Sequence, residues 1–483
     1  MQTRRDQLQA HLTVVSRMNA AMLAGEPDAL ETPLRRFRAS AATGIVLGIL
    51  VVVAFGVIGI FKPGGAKTWQ SPGVLIAEKE STARYIYTDG MLRPVLNVTS
   101  AHLLGVGSKV VSVSANSLKG VPHGLPVGIP GAPDALPGDR TLSSSTWLVC
   151  ATSVVNASGS PQSTVSVTVN SDIPAAASPG DTHAVLVATP GGATYLLWRG
   201  RSHPVPDASS LIALGYGGAR PLPVADRWVN ALQAGSALRA PTIAGVGSPG
   251  PALDGHPTRI GQVFSVAAPG ADATHLVLYK DGLHRVPKTI ADLLLASPAI
   301  QSAYAGQPVA LIPLSATGAA ALPVLEASYS DIPASPPPLL RHGDGETLVP
   351  CSRKEMGATA SPSEQVVLVR AADVTARGIA AAQPGSNRTA DQISVRAGTG
   401  LLASATSVPG GRGGALYLIT DAGIKYPLPA LDVAAKLGVR NGKSAAVPVL
   451  VPALTLEYLP TGPLLDPAAA SATQPVSGSS RQR

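Results

Sequence analysis

ARYIYTDGMLRPV, residues 83–95, is an apolar run rich in aromatic and β-branched side chains, then a turn glycine, then a second short run. That order predicts a β-hairpin turning at Gly90. It returns in ATYLLWRGRSHPV (193–205), THLVLYKDGLHRV (274–286) and ALYLITDAGIKYPL (415–428), with turn glycines Gly200, Gly282 and Gly423. Pro94, Pro204 and Pro427 follow at one common spacing, and the third copy has Val286 there with Pro287 next. A short helix-like stretch comes after each: NVTSAHLLG, DASSLIALG, TIADLLLAS and ALDVAAKLG. Asn97, Asp207 and Thr289 occupy its N-cap position and the fourth copy has Ala430. Gly105, Gly215 and Gly438 suit a left-handed C-terminal cap, with Ser297 in the third copy. The predicted unit is therefore a hairpin plus a helix, used four times.

The copies are unevenly spaced, which excludes a solenoid of fixed period and requires inserted structure. One insert (121–180) holds STWLVCATSVV and STVSVTVN, and the other (310–405) holds EQVVLVRAA and DQISVR. Each has strand-like runs and one cysteine. The expected architecture is α+β and mostly β. An elongated domain of four repeats surrounds a β-rich core built from both inserts. GVPHGLPVGIPGAPDALPGD (120–139) is a proline-rich loop entering that core. The segments read as repeat one (62–120), core segment one (121–180), repeat two (181–240), repeat three (241–309), core segment two (310–405), repeat four (406–460) and a tail (461–483) expected to be disordered.

Ala39–Phe61, ASAATGIVLGILVVVAFGVIGIF, carries no charge and spans about 35 Å as a helix, enough to cross a hydrocarbon core of about 30 Å. A buried core helix of that length without charge is rare. The 38-residue leader and the missing small-residue cleavage site argue for an uncleaved anchor over a signal peptide. Arg35, Arg36 and Arg38 crowd one end against Lys62 and Lys67 at the other, which predicts a cytoplasmic N-terminus and an extracytoplasmic C-terminal domain. Gly44-x-x-x-Gly48 suits either a close helix–helix contact or ordinary membrane-helix glycine. Residues 1–38 read as a cytoplasmic helical arm with Leu8, Leu12, Val15 and Met22 near one face, broken at Glu26-Pro27-Asp28.

Gly and Pro supply 50 and 44 of 483 residues, too many for a helical chain, while 45 % hydrophobic content excludes a disordered one. The net charge of +8 comes from scattered residues, and aromatics are only 4 %, so nucleic acid is not an expected partner. An acidic wall or membrane surface is. Cys150 and Cys351 both follow the anchor, in a compartment where disulfides persist. A bridge between them is the expected state, and two unpaired buried thiols are the alternative.

The chain resembles the EccB family, the membrane-anchored core components of the ESX (type VII) secretion machinery of actinobacteria. The resemblance rests on QLQAHLTVVSRM (7–18), Pro33-Leu-Arg-Arg36, Trp69, TDGMLRPVLNVTSAHLL (88–104), GIPGAPDALP (128–137) with Trp147 and Cys150, LYLITDAGIKYPL (416–428) and LPTGPLL (459–465). It implies a cytoplasmic arm, one transmembrane helix and a periplasmic part of four repeats around a disulfide-containing core. It implies as partners an FtsK/SpoIIIE-like ATPase (EccC), a polytopic protein (EccD) and in some systems EccE. It also implies hexameric self-association and, through a repeat fold similar to a cell-wall-binding phage lysin, contact with the wall. Some members carry an ATPase label.

The sequence supplies no matching catalytic apparatus. Gly438-Val-Arg-Asn-Gly442-Lys443-Ser444 has one residue fewer between its glycines than a phosphate cradle needs, and follows a helix where a strand is required. Gly245-Val-Gly247-Ser-Pro249-Gly250 matches a dinucleotide fingerprint in letters only, since Pro249 and Pro251 suit a loop. No HExxH, CxxC or G-x-S-x-G pattern occurs, and His342-Gly-Asp344-Gly-Glu346 lacks the ligand count of a cation loop. No catalytic, cofactor-binding or metal residue is expected. The expected role is that of a structural subunit, with a wall-binding anchor or a weak ATPase as alternatives.

Overall fold

The computed structural model describes residues 3–25, 33–61, 67–107, 109–142, 144–155, 158–159, 161–268, 270–340, 347–358, 362–375, 379–380, 388–407 and 414–474. They fall into two compact units. One comprises Met1–Pro94 and Lys109–Gly124, the other Val95–Ser108 and Leu125–Arg483.

In the first unit, helix Arg4–Ala24 opens on a capping box in which the Asp6 carboxylate accepts from the Thr3 amide at 3.0 Å and hydroxyl at 2.6 Å. It closes on Gly25 at φ 70°. Glycine enters this left-handed cap without cost, and the expected break at Glu26-Pro27-Asp28 lies outside the described residues. A second helix, Pro33–Phe61, begins six residues before the expected Ala39. Strands Val74–Glu78, Arg84–Thr88 and Met91–Pro94 run antiparallel, and Lys109–Val113 adds in parallel beside the first. Their core is Trp69, Val74, Ile76, Leu92, Val113 and Leu118, with Trp69 edge-on to Tyr87 at 5.2 Å.

The second unit centres on a six-stranded sheet in the order Ser363–Arg370, Leu348–Gly357, Ser144–Val155, Pro161–Val169, Gln392–Val395, Ile379–Ala380. Both inserts therefore build one core. Side chains alternate across its faces as the two-residue period requires. Trp147, Val149 and Ala151 enter the larger core, while Leu148 and Cys150 enter a smaller one with Val349, Val367 and Val369. Trp147 and Trp228 are among the largest fully buried side chains, and the Trp228 indole N–H donates to the Val149 carbonyl at 2.8 Å. Truncating either to alanine costs about 3–5 kcal/mol.

Three hairpin sheets lie in the same unit. The first pairs Val185–Ala188, Thr194–Trp198 and Arg201–Val205, and the second pairs Val263–Ala268, Ala271–Tyr279 and Gly282–Val286. The third pairs Gly400–Thr406, Leu416–Ile419 and Lys425–Leu428. Helices Ala208–Ala213, Lys288–Ala296 and Leu431–Lys436 follow in turn, as Val98–Leu103 follows Met91–Pro94. Asn97 and Asp207 cap their helices, accepting from the Ser100 amide at 2.9 Å and the Ser210 amide at 2.7 Å. Thr289 does not: Pro287 holds the cap, and Thr289 is the second residue of the helix, its hydroxyl donating to the Pro333 carbonyl at 2.7 Å. Proline needs no amide partner at a helix start, so the helix begins earlier than the threonine suggests.

Two boundaries also move. Ile312–Pro313 and Val324–Glu326 join the sheet of the hairpin at Gly282, and Gly400–Thr406 joins that of the hairpin at Gly423, so the segment 310–405 is not all core. The tail is ordered through Gln474. Helix Pro467–Ser471 packs on Val98–Leu103, Ala470 is buried, and the Gln474 amide donates to the Pro126 carbonyl at 2.8 Å. Its alanines read as low complexity, yet small side chains are what a close helix contact accepts. The fold is mixed α/β and β-rich.

Candidate functional site: anchor helix, disulfide sheet and hairpin seams

Within Pro33–Phe61, the 21 residues Phe37–Val57 have mean hydropathy 2.4, and none of the stretch is covered by the rest of the chain. Ile45, Leu50, Val52 and Phe55 are all exposed. Among the described residues this is one helix long and apolar enough to cross a membrane. Arg35 and Arg36 lie near its start and Arg38 is exposed at the head of the apolar stretch, while Lys62 lies outside the described residues. A methyl group added at Gly44 or Gly48 meets nothing within 4 Å, so that face is open.

Cys150 and Cys351 are bonded, with Cα atoms 4.0 Å apart. They are direct cross-strand partners, and the ladder continues from them to Gly357 opposite Ser144. Opposed residues of antiparallel strands lie about 4.5–5.5 Å apart at Cα, so a separation just under the common disulfide range belongs to this placement. Both sulfurs are buried in the smaller core.

All four turn glycines have positive φ, but their surroundings differ. A Cβ on Gly90 meets open space, on Gly200 the Glu364 carbonyl oxygen at 2.9 Å, on Gly282 that of Pro323 at 2.5 Å, and on Gly423 the Ile393 Cγ2 at 2.7 Å. The turns at Gly200 and Gly423 are thus pressed against central strands.

Sequence reasoning missed the segments that return along each hairpin. The amides of Gly124, Gly235 and Gly462 each donate at 2.9 Å to a hairpin carbonyl, those of Leu92, Ser202 and Lys425 respectively. Each glycine lies on the next hairpin side chain, with a Cβ placed 3.1 Å from Arg93 Cγ, 2.8 Å from His203 Nε2 and 3.2 Å from Tyr426 Cζ. In the remaining hairpin Glu326 returns beside Arg285 and pairs with it at 3.0 Å. No shared sequence marks these glycines, which follow their turn glycines at unequal distances.

Buried charge is matched inside the chain. The Lys354 ammonium meets the Glu364 carboxylate at 2.6 Å, beside a cleft of about 440 Å³ bounded by Arg199, Ser407 and Leu454. Arg227 pairs with Asp391. The Lys425 ammonium donates to the carbonyls of Leu456, at 2.8 Å, and Leu459, and burial pulls its pKa down to about 8 against the attraction of Glu457. Burial also pushes the Tyr458 phenol up and the His203 imidazole down.

The glycine loops direct their amides inward. Gly247 and Gly250 donate to the carbonyls of Ile260 and Thr258, and Arg440 and Gly442 to those of Gly138 and Asp139. Gly438 caps the preceding helix through the Ala435 carbonyl. Among the described residues no three His, Cys, Asp or Glu side chains gather as a metal site, and the His342–Glu346 stretch lies outside them.

The profile described as "Type VII secretion system ESX-1, transport TM domain B" matches residues 1–476. The chain belongs to this EccB family. It is 27 % identical over 480 residues to the ESX-3 secretion system ATPase EccB3 of Mycolicibacterium smegmatis, covering 95 % of this chain and 89 % of that one. The ESX-3 secretion system ATPase EccB3 of Mycobacterium tuberculosis is 31 % identical over 303 residues, 58 % of this chain and 54 % of that one. Among solved structures, a chain of an intact ESX-5 inner membrane complex matches with TM-score 0.68 at 22 % identity, covering 100 % of this chain and 98 % of that one. A chain of an EccB3 dimer from the ESX-3 core complex matches with TM-score 0.63 at 24 % identity, covering 82 % and 99 %. The EccB fold thus extends over the whole chain.

Proposed function

We propose that this chain is a membrane-anchored structural subunit of a type VII (ESX) secretion complex. The observation that carries this reading is the family match along 1–476, which takes in the exposed apolar helix and the disulfide-closed sheet together. Relatives of this fold come from an ESX-5 inner membrane complex and from an EccB3 dimer of an ESX-3 core complex. By that likeness the outer part assembles with further copies, six in a complete complex, and the chain meets the EccC ATPase and the polytopic EccD. The arginines ahead of the apolar stretch favour a cytoplasmic N-terminus and a single pass. The four hairpin-plus-helix units act as repeats of one design. The return glycines Gly124, Gly235 and Gly462 support this, since each makes the same bond to its hairpin.

Several relatives bear the name ATPase. In this chain the glycine loops nearest to phosphate or dinucleotide motifs spend their amides on the chain's own carbonyls, which favours a structural role. Affinity purification of the detergent-extracted chain tests the reading. Recovery in one large native band with the ATPase and polytopic subunits is expected. A chain that migrates alone, or that is retained by peptidoglycan without those partners, overturns it.

A further inference from the structure

Strand Arg201–Val205 places one side chain of unusual chemistry in a seam. His203 is fully buried, opposite Leu196 on Thr194–Trp198. The third pair from the turn in the other hairpins holds Arg93 opposite Ile86, His284 opposite Val277 and Pro427 opposite Tyr417, and of these four positions His203 alone is fully buried.

The ring is closed in by the return segment Gln233–Leu238. Nδ1 lies 3.0 Å from the Ser236 carbonyl oxygen and donates its proton there. Gly235 lies against the ring face so closely that a Cβ would stand 2.8 Å from Nε2. Nε2 itself is buried with no hydrogen-bond partner. Asp331 holds the segment from outside, accepting from the Ser236 amide at 2.7 Å and its hydroxyl at 3.0 Å. The Gly235 amide donates to Ser202 and that of Leu238 to Pro204, at 2.9 and 2.8 Å.

We propose that His203 is an acid-sensitive latch, whose protonation at Nε2 releases the return segment Gln233–Leu238 from its hairpin. A proton added at Nε2 makes a cation with a buried N–H and nothing to receive it. Water reaches that nitrogen only if Gly235 and Ser236 move away. Of the groups around the ring, Arg201 on its own strand opposes the cation and Asp331 favours it. The Trp198 ring, 6.2 Å away on the paired strand, and Gly235 and Ser236 on the return segment bring no ionisable group. Burial outweighs Asp331 and holds the imidazole below its ordinary 6.5. The closed seam is therefore fully favoured above that value and loses ground as pH falls through it.

Hydrogen–deuterium exchange of the full chain in nanodiscs, at about pH 7 and about pH 5 and corrected for intrinsic rates, reads the latch. Protection across 233–238 is expected to fall about tenfold or more at the lower pH, while Thr461 and Gly462 beside Lys425 and Tyr426 keep theirs. In His203→Gln the loss at low pH disappears. An equal loss in His203→Gln, or no loss in the unaltered chain, overturns the proposal. Mass-spectrometric exchange of the imidazole C2 hydrogen supplies an independent reading on the unaltered chain. A His203 midpoint below 6.5 supports the latch, and one at or above it overturns it.

Discussion

Cys150 and Cys351 are paired twice, once by the disulfide and once as opposed residues of neighbouring strands. The bond therefore locks an alignment that the ladder already makes. Because the ladder from Ser352 opposite Val149 to Gly357 opposite Ser144 persists without it, Cys150→Ser is expected to fold. It should lose a few kcal/mol of stability, at most about 5 by loop entropy. Denaturant titration with and without reductant checks this. Reductant should bring the unaltered chain close to the variant and leave the variant unmoved, and two free thiols in freshly isolated protein would contradict the structure.

Alanine at the turn glycines should rank by surroundings. Gly90→Ala meets only the left-handed backbone, worth about 1–2 kcal/mol. Gly423→Ala adds a contact with the Ile393 side chain, which can yield. Gly282→Ala meets the Pro323 carbonyl, which is backbone and cannot, so it should be the most damaging. Thermal midpoints of the three variants test the order, and equal losses would contradict it.

Lys425 gives a signed dependence on pH. Unfolded, its ammonium titrates near 10.5, and folded near 8. Between those values the unfolded chain holds a proton that the folded chain has released, so stability rises with pH across that window. The rise is about 3 kcal/mol at most. Lys425→Met should remove it. Denaturation midpoints at several pH values in both chains decide, and an unchanged slope in the variant would count against this burial.

Topology is open to labelling. A single cysteine probe at Ser71 should react with a membrane-impermeant reagent added outside intact cells, and one at Thr3 should not. Reaction at both sites, or the reverse pattern, would refute a cytoplasmic N-terminus.

Legibility followed the range of the interactions. The hairpins at Gly90, Gly200 and Gly423 were readable because apolar alternation and a turn residue sit within a dozen positions, while Gly282 opens the return strand one residue after its turn, paired with Tyr279. The caps at Asn97 and Asp207 were readable for the same reason. Thr289 misled because the proline two residues earlier begins the helix without needing a side-chain cap. The return glycines went unseen because their purpose is to lie against Arg93, His203 and Tyr426, all more than thirty residues back along the chain. His203 looked like one of nine scattered histidines. Only burial separates it from the rest, and burial is written in the partner strand, not in its own neighbours.

The central sheet also imposes an order in time. Strand Ser144–Val155 gains Pro161–Val169 almost at once, but its other neighbour, Leu348–Gly357, lies 201 residues downstream at the cysteine pair. At ordinary rates of synthesis that interval lasts roughly 10–40 s. Throughout it the strand presents an open edge with an unpaired thiol, while the hairpins at Gly200 and Gly282 can complete their local pairings. The strand's second edge thus closes only after its distant mate has been made.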